Sequence, residues 1–130
     1  MPAFGEKSKE RLAECDERLQ NLFNEVIKGF DCIIICGQRG QEAQEQAFEQ
    51  GYTQLHYPNS KHNVAPSRAV DVMPYPVNYA DLKRNYYFVG YVRGIAEKIG
   101  IKIRIGADWN MNGVITDQTF IDLPHVELIE

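Results

Sequence analysis

Long apolar runs are missing from this sequence, and so is any excess of positive charge. No stretch approaches the roughly 20 apolar residues that cross a bilayer, and Met1 to Glu10 lacks the hydrophobic segment of a secretion signal. The expectation is a protein made and folded in the cytoplasm, with no membrane partner. Fourteen lysines and arginines stand among eighteen aspartates and glutamates, giving a formal charge of -4 and no field that would gather nucleic acid. Cysteine is also scarce. Three thiols cannot all pair, and Cys32 and Cys36 bracket the strand-like Ile33-Ile34-Ile35, so Cys15, Cys32 and Cys36 read as reduced and buried.

What is present suits one domain over residues 1–130, since 44% hydrophobic content in a chain of this length supports a single core. A monomer is the default expectation. From Lys7 to Lys28, Leu12, Cys15, Leu19, Leu22, Phe23, Val26 and Ile27 recur every three or four positions, and Gly29 follows. That spacing predicts one amphipathic helix. Phe30 to Cys36 reads as a buried strand, Gly37-Gln-Arg-Gly40 as a turn, and Gln41 to Gln50 as a second helix stopped by Gly51. Tyr52 to Arg68 carries turn chemistry throughout and reads as a long loop.

Ala69 to Met73 is a short strand before Pro74 and Pro76. A helix from Asp81 to Ile99 should bury Phe88, Val89, Val92, Ile95 and Ile99, and Ile101 to Ile105 and Pro124 to Ile129 alternate as strands do. This order predicts an α+β fold, a small and mainly antiparallel sheet flanked by about three helices.

Three segments carry side chains suited to a hard or borderline metal ion: Ser60-Lys-His62, Ala69-Val-Asp71 and Asp122-Leu-Pro-His125. Period-two alternation puts Asp71 opposite Val70 and Val72, and puts His125 and Glu127 opposite Val126 and Leu128, so apolar core faces leave the polar residues on the pocket side. Two imidazoles and one carboxylate are a usual three-ligand set for catalytic zinc, with a fourth position left for water. Asp122, three residues before a ligand and joined to it by Leu123-Pro124, is placed to act as general base. A single histidine near a strand end is more often a surface or core residue than a ligand, so the constellation, not any one residue, carries the reading.

With Ser67-Arg-Ala-Val-Asp71 and Asp122-Leu-Pro-His125-Val-Glu-Leu128, the motif set resembles the zinc D-alanyl-D-alanine carboxypeptidase superfamily, which includes VanY-like carboxypeptidases and phage L-alanyl-D-glutamate endopeptidases. The resemblance runs from about Gly37 to Leu128 and implies a Hedgehog/D-Ala-D-Ala peptidase-like fold. It implies zinc on His62, Asp71 and His125, and Asp122 as catalytic base in the Asp-x-Pro-His form of phage endolysins. Arg39, with Gln44 five positions on, is similar to the family's G-x-R…Q segment, whose arginine serves substrate or the developing oxyanion. Ser60 and Gln44 are the weaker candidates for substrate contact. Two departures stand out: His62 and Asp71 are nine positions apart, wider than the motif's common form, and Ser67 occupies a place where a glycine is frequent.

The resemblance further implies an endolysin that cuts the L-alanyl-D-glutamate bond of the peptidoglycan stem peptide. Such a protein would be synthesised in the host bacterial cytoplasm and act at the periplasmic wall after release through a separate membrane pore. The nearest rival is a D-alanyl-D-alanine carboxypeptidase using the same metal site. A further alternative is a non-catalytic metal-bound module that binds a peptide.

Other features compete for attention. Cys32, Cys36, His56 and His62 do not make a structural zinc site, because residues four apart on a strand lie about 13 Å from each other. Asp108, Asn110, Asn112 and Asp117 match the first half of a calcium loop, with Gly113 at its sixth position, but Thr119 stands where the bidentate glutamate belongs. An Asx-rich turn explains the segment as well, and some phage relatives in the resembled family are calcium-regulated. Tyr52, Tyr57, Tyr75, Tyr79 and Trp109 are candidates for the walls of a substrate cleft, whereas Tyr86, Tyr87 and Tyr91 sit at helical spacing and read as packing.

Overall fold

The apolar pattern from Lys7 to Lys28 is continuous, yet the chain breaks it into two helices, α1 at Glu6–Ala13 and α2 at Glu17–Gly29. The break is made from a distance. The Asp16 N–H donates to the Ser67 carbonyl and the Ser67 N–H to the Glu14 carbonyl, both at 2.8 Å, while the Asp16 carboxylate caps α2 through the Arg18 N–H. The structure, a computed structural model, describes residues 2–129.

The remaining elements are β1 at Cys32–Cys36, α3 at Gln41–Glu49, a single 3-10 turn at Lys61–Asn63, β2 at Ala69–Pro74, α4 at Leu82–Ile99, β3 at Ile103–Ile105 and β4 at His125–Leu128. Among the described residues, four α-helices thus accompany the sheet where about three were expected, because the first predicted helix is divided. The expected strand from Ile101 starts two residues later: Gly100 caps α4 with φ of 78°, and the Ile101 N–H still donates to Ala96.

The four strands are ordered β1-β2-β4-β3, and every pair is antiparallel. Val70, Val72, Val126 and Leu128 face the core, joined there by Leu19, Phe23 and Val26 of α2 and Phe88, Val92 and Ala96 of α4. Full burial of side chains of this size is worth about 1.5–3 kcal/mol each, so this face supplies the driving force for the sheet. Ile95 is only partly buried, and Ile99, in the last turn of α4, is exposed, contrary to its predicted place in the core.

Helix α1 serves the free edge of β1. Ser8 Oγ accepts from the Ile34 N–H and Arg11 Nη1 donates to the Ile34 carbonyl, both at 3.0 Å, which covers backbone groups that would otherwise invite another strand. With its core face and outer edge occupied, the sheet has one face left, and that face holds Asp71, His125 and Glu127. Among the described residues, no helix is long and apolar enough to cross a membrane.

Candidate metal centre

Sheet register brings two of the predicted ligands together. Asp71 on β2 lies directly opposite His125 on β4, and side chains facing each other across an antiparallel pair stand close on one face. A bulge in β1 leaves Ile35 unpaired and seats Cys36 against Asp71 from the other side. His62 arrives from the 3-10 turn. Ser60 caps that turn, its Oγ accepting from the His62 N–H at 3.2 Å, and Asn63 completes a capping box by accepting from the Ser60 N–H.

The three side chains converge. His62 Nε2 is 3.2 Å and His125 Nδ1 3.5 Å from the same oxygen, Asp71 Oδ1, and one ligand atom from each of the three lies within 4.8 Å of the others. Tetrahedral ligands at about 2.0–2.1 Å from an ion are separated by about 3.3 Å, so the group fits a single small divalent cation. His62, Asp71 and His125 could therefore hold a metal ion, and they are buried, as a site that must limit competing water requires.

Each ring is oriented through its other nitrogen. His62 Nδ1 is 2.8 Å from the Gly37 carbonyl oxygen, which can only accept, so Nδ1 carries the proton and Nε2 offers its lone pair to the centre. His125 is turned the other way round: Nε2 lies 2.8 Å from Glu127 Oε1, leaving Nδ1 toward Asp71. Partners of this kind fix the tautomer of metal-binding imidazoles.

The charges show the same demand for a cation. Burial opposes protonation of His62, but the Asp71 carboxylate outweighs it and raises the ring to about 10; His125 is raised likewise, against burial, by Asp71 and Glu127. Asp71 is itself held well below the carboxylate range, as the two rings overcome its desolvation. A cation arriving here would take over the place of those protons.

Asp122 stands 3.9 Å from His125 Nδ1, through Oδ2, and faces the cleft. Burial and then the Asp71 charge push its carboxyl up to about 6. Its backbone is fixed by hydrogen bonds to Gly106 and from His125, and a Cβ on Gly106 would overlap the Asp122 carbonyl oxygen, so only glycine lets this segment close over the site.

Arg39 is more committed than a free substrate anchor. Its Nη2 reaches Asp71 Oδ2 at 3.3 Å and its Nη1 reaches Gln44 Oε1 at 3.0 Å, though the side chain still lines the cleft. Gln44 is fully buried, donating to the Leu55 carbonyl and accepting from Asn63. It supports Arg39 and the following loop. Ser60, also buried, caps the turn that carries His62.

The cleft beside the centre has a volume of about 550 Å³. Of the five loop aromatics expected to wall it, Trp109 does so, joined by Phe120; Tyr52, Tyr57, Tyr75 and Tyr79 are exposed outside its lining. Trp109 packs on the His125 ring at 5.1 Å between centroids. The half-matched calcium loop is closed on itself. Asp108 accepts from the Asn112 and Gly113 N–H groups, and Asp117 accepts from the Asn110 and Asn112 side-chain amides. Cys32 lies on a strand and His56 pairs with Glu45, so the discounted Cys/His cluster does not assemble.

Two residues that sequence reasoning left without a role complete the centre. Gly37 cannot carry a Cβ, which would overlap the Arg11 carbonyl oxygen, and this close approach presents its own carbonyl to His62. Glu127 orients His125 while accepting from Arg104 and Lys61; the His-x-Glu spacing on a strand was its only signal. Ser67, the departure from the resembled motif, is fully buried and bridges to Cys15 in the α1–α2 turn.

The L-alanyl-D-glutamate peptidase of Escherichia phage T5 is 28% identical over 134 residues, covering 97% of each chain. The crystal structure of the L-Ala D-Glu endopeptidase ChiX of Serratia marcescens superposes with a TM-score of 0.74 at 21% identity, covering 98% of this chain and 90% of the other, and so shares the fold. Residues 2–129 match the sequence model of the family described as phage L-alanyl-D-glutamate peptidase, and the chain belongs to that family.

Proposed function

We propose that this protein is a zinc-dependent peptidase that hydrolyses the L-alanyl-D-glutamate bond of the peptidoglycan stem peptide. One observation carries the reading: two oppositely oriented imidazoles and a carboxylate converge on one point, with a second carboxylate, Asp122, on the open side of the same cleft. Family membership supplies the substrate class, and the His₂Asp donor set favours zinc among divalent ions.

When bound, the ion would supply a Lewis acid for the scissile carbonyl and make a water acidic enough to react near neutral pH. His62, Asp71 and His125 would hold it. Asp122 takes the proton of the attacking water and delivers it to the departing amine, a task suited to a carboxyl raised toward neutrality. Arg39 keeps Asp71 in place and presents its remaining surface to the cleft, where a fixed guanidinium favours developing negative charge. The Trp109 and Phe120 rings form an apolar wall along which a peptide can lie.

This reading implies action at the bacterial wall and assigns calcium no step in the reaction. Calcium at Asp108 to Asp117 would have to turn the Asn110 and Asn112 amides, so that oxygens replace NH₂ groups beside Asp117. Digestion of purified peptidoglycan, followed by mass analysis, tests the assignment. New N-terminal D-glutamate is expected, abolished by a chelator and restored by zinc; free D-alanine as the product would reassign the protein as a carboxypeptidase.

A further inference from the structure

We propose that Glu127 is a positioning residue for His125, holding Nδ1 of that ring toward the ligand group, and that Arg104 and Lys61 make this orientation dependent on charge. The inference rests on the metal-binding reading above and assigns a role to residues outside the ligand set.

Four observations support it. His125 and Glu127 share a face of β4, and Glu127 Oε1 lies 2.8 Å from Nε2, the ring nitrogen that does not face Asp71. The other carboxylate oxygen, Oε2, accepts from Arg104 Nη2 at 2.9 Å and Nε at 3.2 Å and is 3.2 Å from Lys61 Nζ. Arg104 is the cross-strand partner of Glu127 on β3, while Lys61 immediately precedes His62 and also donates to the Leu128 carbonyl. Glu127 is buried, so both of its oxygens are committed to protein.

A simple ion pair would need only Arg104 and one or both oxygens. Here the carboxylate is divided: one oxygen is held by the cations and the other by the imidazole. The cations set the carboxylate plane, and the carboxylate sets the ring. An ionised partner also strengthens the electron-pair donation of the opposite ring nitrogen, which a carbonyl does less well.

The test uses the full chain and zinc alone. Affinity is measured by competition with a chromophoric chelator for the parent, Glu127→Ala and Glu127→Gln, with circular dichroism confirming that each chelated protein is folded. Loss of an outer partner of a metal-binding histidine typically costs about 10–100-fold in affinity. Glu127→Ala should fall in that range, and Glu127→Gln, which keeps an acceptor and loses the charge, should fall by less. Folded variants that both bind zinc within about twofold of the parent would overturn the proposal.

Should Glu127→Ala fail to fold, ¹⁵N spectra of the parent's histidines decide. A protonated Nε2 on His125, with Nδ1 shifted on zinc addition, is expected, and a shifted Nε2 would refute the assignment. A parent that binds one zinc, lost in His62→Ala, keeps the metal reading intact whatever Glu127 does. A parent that binds none removes both.

Discussion

His62 and His125 present the same kind of ligand to the same carboxylate oxygen, yet they are held by different means. His62 leans on a main-chain carbonyl, that of Gly37, and its position depends on a steric fact, the absence of a Cβ where Arg11 passes. His125 leans on a side-chain carboxylate anchored by two cations, so its position depends on charge. The nitrogens used are also opposite, Nε2 on one ring and Nδ1 on the other. A backbone partner tolerates changes of salt but not of shape, whereas a charged partner tolerates small shifts but not neutralisation.

The largest expected effect would test whether the two rings are equal as ligands. His62→Ala and His125→Ala should each lose bound zinc and reduce peptidoglycan digestion to background, as measured by metal analysis and product masses. A variant that keeps both metal and activity would break the symmetry of the pair. Next comes Asp122→Asn, which leaves both rings in place. Its turnover should fall about 10²–10⁴-fold, the usual contribution of a positioned acid or base, with zinc content unchanged.

Two glycine substitutions sharpen the contrast by shape alone. Gly37→Ala and Gly106→Ala each force a Cβ into a backbone oxygen, costing about 1–3 kcal/mol in thermal or denaturant unfolding. Gly37→Ala should also weaken zinc binding through His62. Gly106→Ala should leave affinity near the parent's but lower turnover, since it displaces Asp122. The smallest effect is chemical. Burial pushes the Cys15 and Cys32 thiols up to about 12, whereas half-buried Cys36 lies beside His62 and Arg39. An alkylating reagent at neutral pH should label Cys36 first, and zinc should slow it.

Much of the sheet was legible because alternation is local. In β2 and β4 the apolar residues at every second position named the core face, and the polar residues between them named the site face. The break between α1 and α2 was not legible, since Cys15 continues the helical apolar stripe and the interruption comes from Ser67, far along the chain. Gln44 and Ser60 were read as substrate contacts: Gln44 is enclosed under Arg39, whereas Ser60, which caps the turn carrying His62, also lines the cleft, and polarity alone does not separate the two placements. Residue type likewise marks a suitable wall without placing it: of the five loop aromatics Trp109 lines the cleft, while Tyr79 stays exposed yet near enough to feel the Asp71 and Asp122 charges.

By itself the sequence determined the types of the candidate ligands, their order and the face each would occupy, because donor chemistry and strand periodicity are properties of the residues and their spacing. Tertiary structure alone decided which nitrogen each imidazole offers, that Glu127 and the Gly37 carbonyl make that choice, and how close Asp122 stands. Those outcomes depend on hydrogen-bond partners brought together by register and turns, and distances between remote segments are not encoded in any local pattern.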